Sequence, residues 1–227
     1  DMPRIYKLSK TGLKILYKIR HHRGHGIHSP FVFNLINKVI EEKTPYHIYD
    51  DIRTIIDPYV FLHLKKYNLL LFRLVNYFNA ERILEIGAGY GVNTICMTAA
   101  SSNTKCISIE TSERKYSIAG RLYSEWNRNI ELLTDPELPE LQEKQDCILI
   151  DLNNYSLLSS DVCKYLDNIC HEKTFIIVRG IRTNRRNQTL WKCIASMDSR
   201  TVILDLFNIG IVFFDKTLYR WEYKISF

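Results

Sequence analysis

Residues 85–91 read Glu-Ile-Gly-Ala-Gly-Tyr-Gly, three glycines at every second position, directly behind an apolar run and a glutamate. A glycine-rich turn between a strand and a helix lets backbone approach a ligand with no side chain in the way. Dinucleotide-binding loops place two glycines and then a third after two further residues, so that pyrophosphate meets the helix N-terminus. Here the third glycine, Gly91, comes one residue early, and Val92 stands where that pattern wants glycine. Glu85 argues the same way. A carboxylate at the strand end repels a pyrophosphate but attracts an ammonium or sulfonium group.

Working outward, short apolar runs at 82–86, 105–110, 129–134, 146–151 and 174–179 alternate with helical candidates at 91–101, 112–127, 136–143, 159–170 and 184–197. Runs apolar on both faces and separated by helices predict βαβ units and a parallel sheet. The end differs: "TVILDLFNIGIVFFDK" is two apolar runs joined through Asn208–Gly210, a hairpin signal, and "YRWEYKISF" reads as a further edge strand. The first 79 residues read instead as helices. Ser29 caps one with Pro30 at its first position, running to about Glu42, and another spans about Pro58 to Asn79. The expected organisation is a helical N-terminal extension, 1–79, before an α/β domain, 80–227.

Two more acids sit where strands should end. Glu110, 19 residues after Gly91, is placed to accept from a ribose diol, and Asp135 to accept from an adenine amino group. Cationic amino acid, ribose and adenine together describe S-adenosylmethionine. With the glycine loop and the terminal hairpin, residues 80–215 resemble the class I S-adenosylmethionine-dependent methyltransferases. The resemblance implies a Rossmann-like, seven-stranded, mostly parallel sheet ending in an antiparallel hairpin. It implies that Glu85 and the backbone of Gly87, Ala88, Gly89 and Gly91 hold the methionine part, Glu110 with Thr111 the ribose, and Asp135 the adenine. Asp151 is placed at the same cofactor. "HGIHSPFVFNLINKVIEEK" and "DLFNIGIVFF", flanking "ILEIGAGYG", look like a group of methyltransferases from Bacteroides-type bacteria, a likeness that brings no substrate with it.

Methyl transfer from a sulfonium needs an aligned acceptor and at times a base. The fourth strand ends in "ILIDLNNYS", so Asp151 is the candidate catalytic group, with Tyr155 behind it; capping of the following turn is its plainer role. No prolines follow as in the methyltransferases of exocyclic base nitrogens. Metal-dependent O-methyltransferases want an acidic or amide pair after strand five, where this chain has Arg179–Gly180. A cation beside Asp151 disfavours a divalent metal, so none is expected. Arg179, Arg182, Arg185 and Arg186 suggest an anion clamp, or else a solvated loop in which Arg179 pairs with Asp151. The expected function is metal-free O-methylation of a small or anionic molecule; the alternatives are a catalytically inactive cofactor-binding protein and a nucleic-acid methyltransferase.

Bulk properties bound this reading. No apolar stretch reaches the ~20 residues of a membrane span, and no signal-peptide pattern is present, so a soluble cytoplasmic protein is expected. Six cysteines show no two-residue spacing of the redox or zinc type and read as small buried residues. The net charge of +6 is carried by residues 1–23, which hold seven Lys/Arg against Asp1. A helix there with a lysine face suggests a lid or an anionic partner. His21, His22, His25 and His28 lie among glycines, which favours a joint over a zinc site.

Overall fold

The computed structural model describes residues 29–159 and 161–227. The basic N-terminal helix, the histidine-rich joint and their proposed roles lie outside the described residues. Ser29 Oγ accepts from the Val32 amide and Pro30 opens helix α1, Pro30–Leu35, which continues through a π-helical turn, Ile36–Ile40. Helices α2, Ile48–Ile56, and α3, Lys66–Phe78, follow. The reading of one helix from Pro58 is corrected: residues 57–65 are turns and extended chain, and a separate helix precedes them. α3 ends at Asn79 in the left-handed conformation (φ 49°), which asparagine tolerates well.

The α/β pattern then unfolds as β1 (Arg82–Ile86), α4 (Val92–Thr98), β2 (Lys105–Ile109), α5 (Glu113–Trp126), β3 (Asn129–Leu133), β4 (Gln145–Asp151), α6 (Val162–Ile169), β5 (Cys170–Arg179), α7 (Arg185–Ala195), β6 (Val202–Asp205), β7 (Ile209–Phe213) and β8 (Trp221–Lys224). One sheet runs β3-β2-β1-β4-β5-β7-β6-β8. Neighbours are parallel except at β7, which is antiparallel to both β5 and β6. The eighth strand is one more than the seven the resemblance implied. It is the terminal alternating run, laid parallel against β6 as the outer edge.

Side-chain alternation assigns the two faces. Ile83, Cys147, Leu149, Phe175 and Ile177 pack with α1 and α3 through Val32, Leu35, Leu70, Leu71 and Leu74. Leu84, Ile86, Ile148, Ile150, Ile176 and Val178 pack with α6 and α7 through Val162, Leu166, Leu190 and Ile194. α1 and α3 therefore share a core with the sheet, while α2 packs through Ile52 and Ile56 on Ile95 of α4 and Leu122 of α5. All six cysteines are free thiols, four of them buried.

Two local expectations fail for stated reasons. Residues 136–143 form no helix. Pro136 and Pro139 bias their predecessors away from helix, and the tyrosine hydroxyls of Tyr155 and Tyr165 hold the Pro136 and Pro139 carbonyls at 2.5 and 2.9 Å. The β6–β7 turn is made by Phe207 and Asn208, with Phe207 at φ 72° and a Leu206 N–H to Ile209 O bond of 2.8 Å. Gly210 is inside β7, where a Cβ would come within 2.2 Å of the Trp191 ring. Asp205 accepts from the Phe207 amide at 2.9 Å and pairs with Arg182, which also donates to the Phe207 carbonyl. That clamp holds a bulky residue in a conformation it rarely adopts.

Candidate active site

The ends of β1, β2, β4 and β5 bring the predicted residues to one edge of the sheet. Gly87, Gly89 and Gly91 all have positive φ, at 89°, 64° and 89°. A Cβ on Gly87 would lie 2.8 Å from the Asp151 carbonyl oxygen. The Gly87 and Ala88 amides donate to the Ile109 carbonyl at 2.9 and 3.0 Å, fastening the loop to β2.

Glu85 is fully buried below this loop. Its Oε2 accepts from the Thr94 hydroxyl, which also lies 2.6 Å from the Tyr123 hydroxyl; Tyr123 is in turn 3.0 Å from Ser108. Its other oxygen, Oε1, is buried without a hydrogen-bond partner. Burial lifts its pKa to about 7, against the pull of the Thr94 and Asn93 side chains. Glu110 accepts from the Gly89 amide at 2.7 Å through one oxygen and from the Ser112 amide at 2.9 Å through the other. Thr111, between them, is half-buried, while Asp135 is exposed and caps its own turn through the Glu137 amide at 2.8 Å.

Asp151 and Arg179 are register partners at the ends of β4 and β5. Asp151 Oδ2 takes Arg179 Nη1 at 2.7 Å and the Asn154 amide at 3.1 Å, and Oδ1 takes the Asn153 amide at 3.0 Å. Burial raises the Asp151 pKa, more than Arg179 and these donors lower it. Asn154 also donates to the Gly87 carbonyl at 3.2 Å and accepts from Lys115 at 3.1 Å, which ties the β4 end to the glycine loop. Tyr155 is buried, with its hydroxyl on Pro136. The four arginines do not converge: Arg182 clamps the β6–β7 turn and Arg186 donates to the Leu158 carbonyl at 2.6 Å, while Arg185 is exposed.

A cavity of about 240 Å³ opens over Ala88 and Gly89 and is walled by Asn93, Asn154, Arg179, by Tyr67 and Asn68 of α3, and by His63 of the segment before it. Arg179 stacks on the Tyr67 ring at 4.7 Å. Its bond to Asp151 uses Nη1 alone. Tyr67 has a buried hydroxyl without a hydrogen-bond partner, and Asn68 donates to Asn93 at 2.7 Å, joining α3 to α4. Sequence reasoning missed these helix residues. Tyr67 sits in an apolar helical run and carries no signal that separates it from core. Among the described residues no three His, Cys, Asp or Glu side chains gather as a metal site, and no helix is long and apolar enough to cross a membrane.

No protein-family model matches the chain, and no curated protein does. Solved structures do. An O-methyltransferase from Bacillus cereus in complex with S-adenosylhomocysteine aligns over 81% of this chain and 97% of its own, with TM-score 0.55 and 21% identity. An S-adenosylhomocysteine-bound methyltransferase from Podospora anserina aligns over 83% and 97%, with TM-score 0.56 and 11% identity. The O-methyltransferase TomG from Streptomyces achromogenes, in complex with S-adenosylmethionine, aligns over 79% and 94%, with TM-score 0.52 and 13% identity. At these identities the likeness establishes the Rossmann-like methyltransferase fold. It gives no support to the narrower Bacteroides-type group.

Proposed function

We propose that the chain is an S-adenosylmethionine-dependent O-methyltransferase acting on a small anionic acceptor without a divalent metal. The observation that carries this reading is the glycine cradle set between two buried carboxylates, Glu85 with an orphaned oxygen and Glu110 on the Gly89 amide. The residues fit the cofactor. The orphaned Glu85 oxygen answers an ammonium group, the glycines clear the backbone for close approach, and Glu110 retains lone pairs for a ribose diol. Asp135, exposed at the end of β3, is the acceptor for the adenine. The structural neighbours crystallised with S-adenosylmethionine or S-adenosylhomocysteine support the same cofactor. The cofactor supplies a methyl group made electrophilic by its sulfonium.

This chain's own residues then have defined work. Asp151, held on three sides, fixes Arg179 rather than serving as a free base. Arg179 lies across the Tyr67 ring in the cavity wall and meets Asp151 through Nη1 alone, so it binds and orients an anionic acceptor group. A guanidinium stays protonated and has no lone pair to offer, so it holds the Asp151 carboxylate where a metal-dependent site would use that carboxylate as a ligand. Tyr155 acts on the architecture, through Pro136. The engagement of Asp151 by three donors is also what a cofactor-binding protein without turnover would show.

The test is transfer of a labelled methyl group to a panel of small phenolic and carboxylic acids. Transfer should survive EDTA and fall roughly 10–100-fold in Arg179→Ala, as an ionic hydrogen bond to the acceptor is lost. A need for added Mg²⁺, or indifference to Arg179→Ala, overturns the assignment. Absence of transfer in a chain that still binds S-adenosylhomocysteine selects the reading without turnover.

A further inference from the structure

The groove between α7 and the last strands carries more positive charge than the surrounding protein answers. Its volume is about 630 Å³, and Trp191, Lys192, Arg200, Arg220 and Lys224 stand around it. It shares no wall residue with the glycine-loop cavity. Arg182 and Asp205 also border it, but they pair with each other through two hydrogen bonds, at 2.8 and 2.5 Å. That leaves Lys192, Arg200, Arg220 and Lys224 facing one acid, Glu222. None of these four cations forms a salt bridge among the described residues.

Arg200 shows the imbalance most directly. Its Nε is buried with no hydrogen-bond partner, and its Nη1 reaches only the Thr201 carbonyl, at 3.4 Å. Burial, then the neighbouring Arg220 guanidinium, pull Arg200 below its ordinary pKa, and Glu222 offsets this only in part. Two guanidiniums brought together by the fold repel each other, and an anion placed between them turns that repulsion into attraction.

We propose that this groove is a second ligand site, which takes a phosphate-bearing small molecule between Arg200 and Arg220 with Lys192 and Lys224 at the rim. Arginine forks match the paired oxygens of a phosphate, and lysines serve as point charges around it. The volume is that of a small-molecule pocket. The cations come from three separate places, Lys192 on α7, Arg200 ahead of β6, and Arg220 and Lys224 along β8, and line one hollow, which favours a compact phosphate ester or diphosphate over a nucleic-acid strand. The site does not depend on the methyltransferase reading.

Titration calorimetry of the full chain with inorganic pyrophosphate tests it. One saturable site is expected, weakening as salt is raised. The double substitution Arg200→Ser with Arg220→Ser should weaken binding by about tenfold or more, a loss typical of charge-assisted contacts. Lys192→Gln with Lys224→Gln, at exposed positions where folding is not at risk, should weaken it several-fold. Lys105→Gln, at the start of β2 and outside the groove, should leave it unchanged. Absence of saturable binding, or equal binding by the groove variants, overturns the proposal. So does tight binding of a single-stranded oligonucleotide that pyrophosphate fails to displace.

Discussion

Gly87→Ala should abolish S-adenosylhomocysteine binding and destabilise the chain by roughly 2–5 kcal/mol, the combined scale of a left-handed non-glycine residue and an overpacked site. Two observations set this size. The φ of 89° is one that alanine rarely adopts, and the new Cβ would lie 2.8 Å from the Asp151 carbonyl oxygen, a backbone atom fastened at the end of a central strand. Relief would have to move the Asp151–Arg179 pair itself. Gly89→Ala is the informative comparison. Its φ is 64° and its Cβ would meet the Asn154 side-chain amide, also at 2.8 Å, a side-chain group that can move, though only by giving up its bonds to the Gly87 carbonyl and Asp151. A smaller loss, on the order of 1–2 kcal/mol, is expected there. Denaturant midpoints at constant m-value measure both. Equal stability of Gly87→Ala and the wild type would show that the loop is looser than its hydrogen bonds to Ile109 indicate.

The second large effect belongs to Glu85 and to pH. Its folded pKa, about 7, lies above the ordinary carboxylate value because burial disfavours the charge. Between about pH 4.5 and 7 the folded chain therefore holds a proton that the unfolded chain has released. The native state binds more protons there, so this group's contribution to stability is full below pH 4.5 and is lost as pH rises through 7. Above that, the penalty is on the order of 3 kcal/mol. Glu85→Gln keeps the shape and removes the ionisation. The stability difference between variant and wild type should widen in the variant's favour across that window and then level off. S-adenosylhomocysteine binding should do the reverse, strengthening in the wild type as pH rises through 7 and staying flat and weaker in Glu85→Gln, because an ammonium favours the ionised carboxylate. A pH-independent difference in stability would remove the buried, half-ionised Glu85 from the account.

The strand ends were readable because βαβ chains alternate, and an acid or glycine that closes an apolar run falls at the sheet edge whatever the packing. Glu85, the glycines, Glu110 and Asp151 were found that way. What the arginines do was readable only in part: the pairing of Arg179 with Asp151 was one of two readings left open, and the structure shows it. Whether Arg179 meets Asp151 depends on the register of β4 against β5, and Arg182 turns away to Asp205 because the β6–β7 turn needs a clamp. Both partners are far off in sequence. Gly210 was misread by the same limit: beside Asn208 it looks like turn chemistry, and only the Trp191 ring from α7 explains it. The run 136–143 has a helical pattern of apolar residues, yet its prolines and two remote tyrosine hydroxyls decide its form. Tyr67 shows the same limit. Its apolar neighbours mark only a helical run, and nothing local says that its ring carries Arg179.

The central claim is that the Glu85–Gly91 loop holds S-adenosylmethionine and not a dinucleotide. Titration calorimetry of the full chain with S-adenosylhomocysteine and, separately, with NAD tests it most directly. Saturable binding of S-adenosylhomocysteine is predicted, weakened by roughly 1–3 kcal/mol in Glu110→Ala as a charged hydrogen bond is lost, with no binding of NAD. Tight NAD binding with no response to S-adenosylhomocysteine would contradict the account.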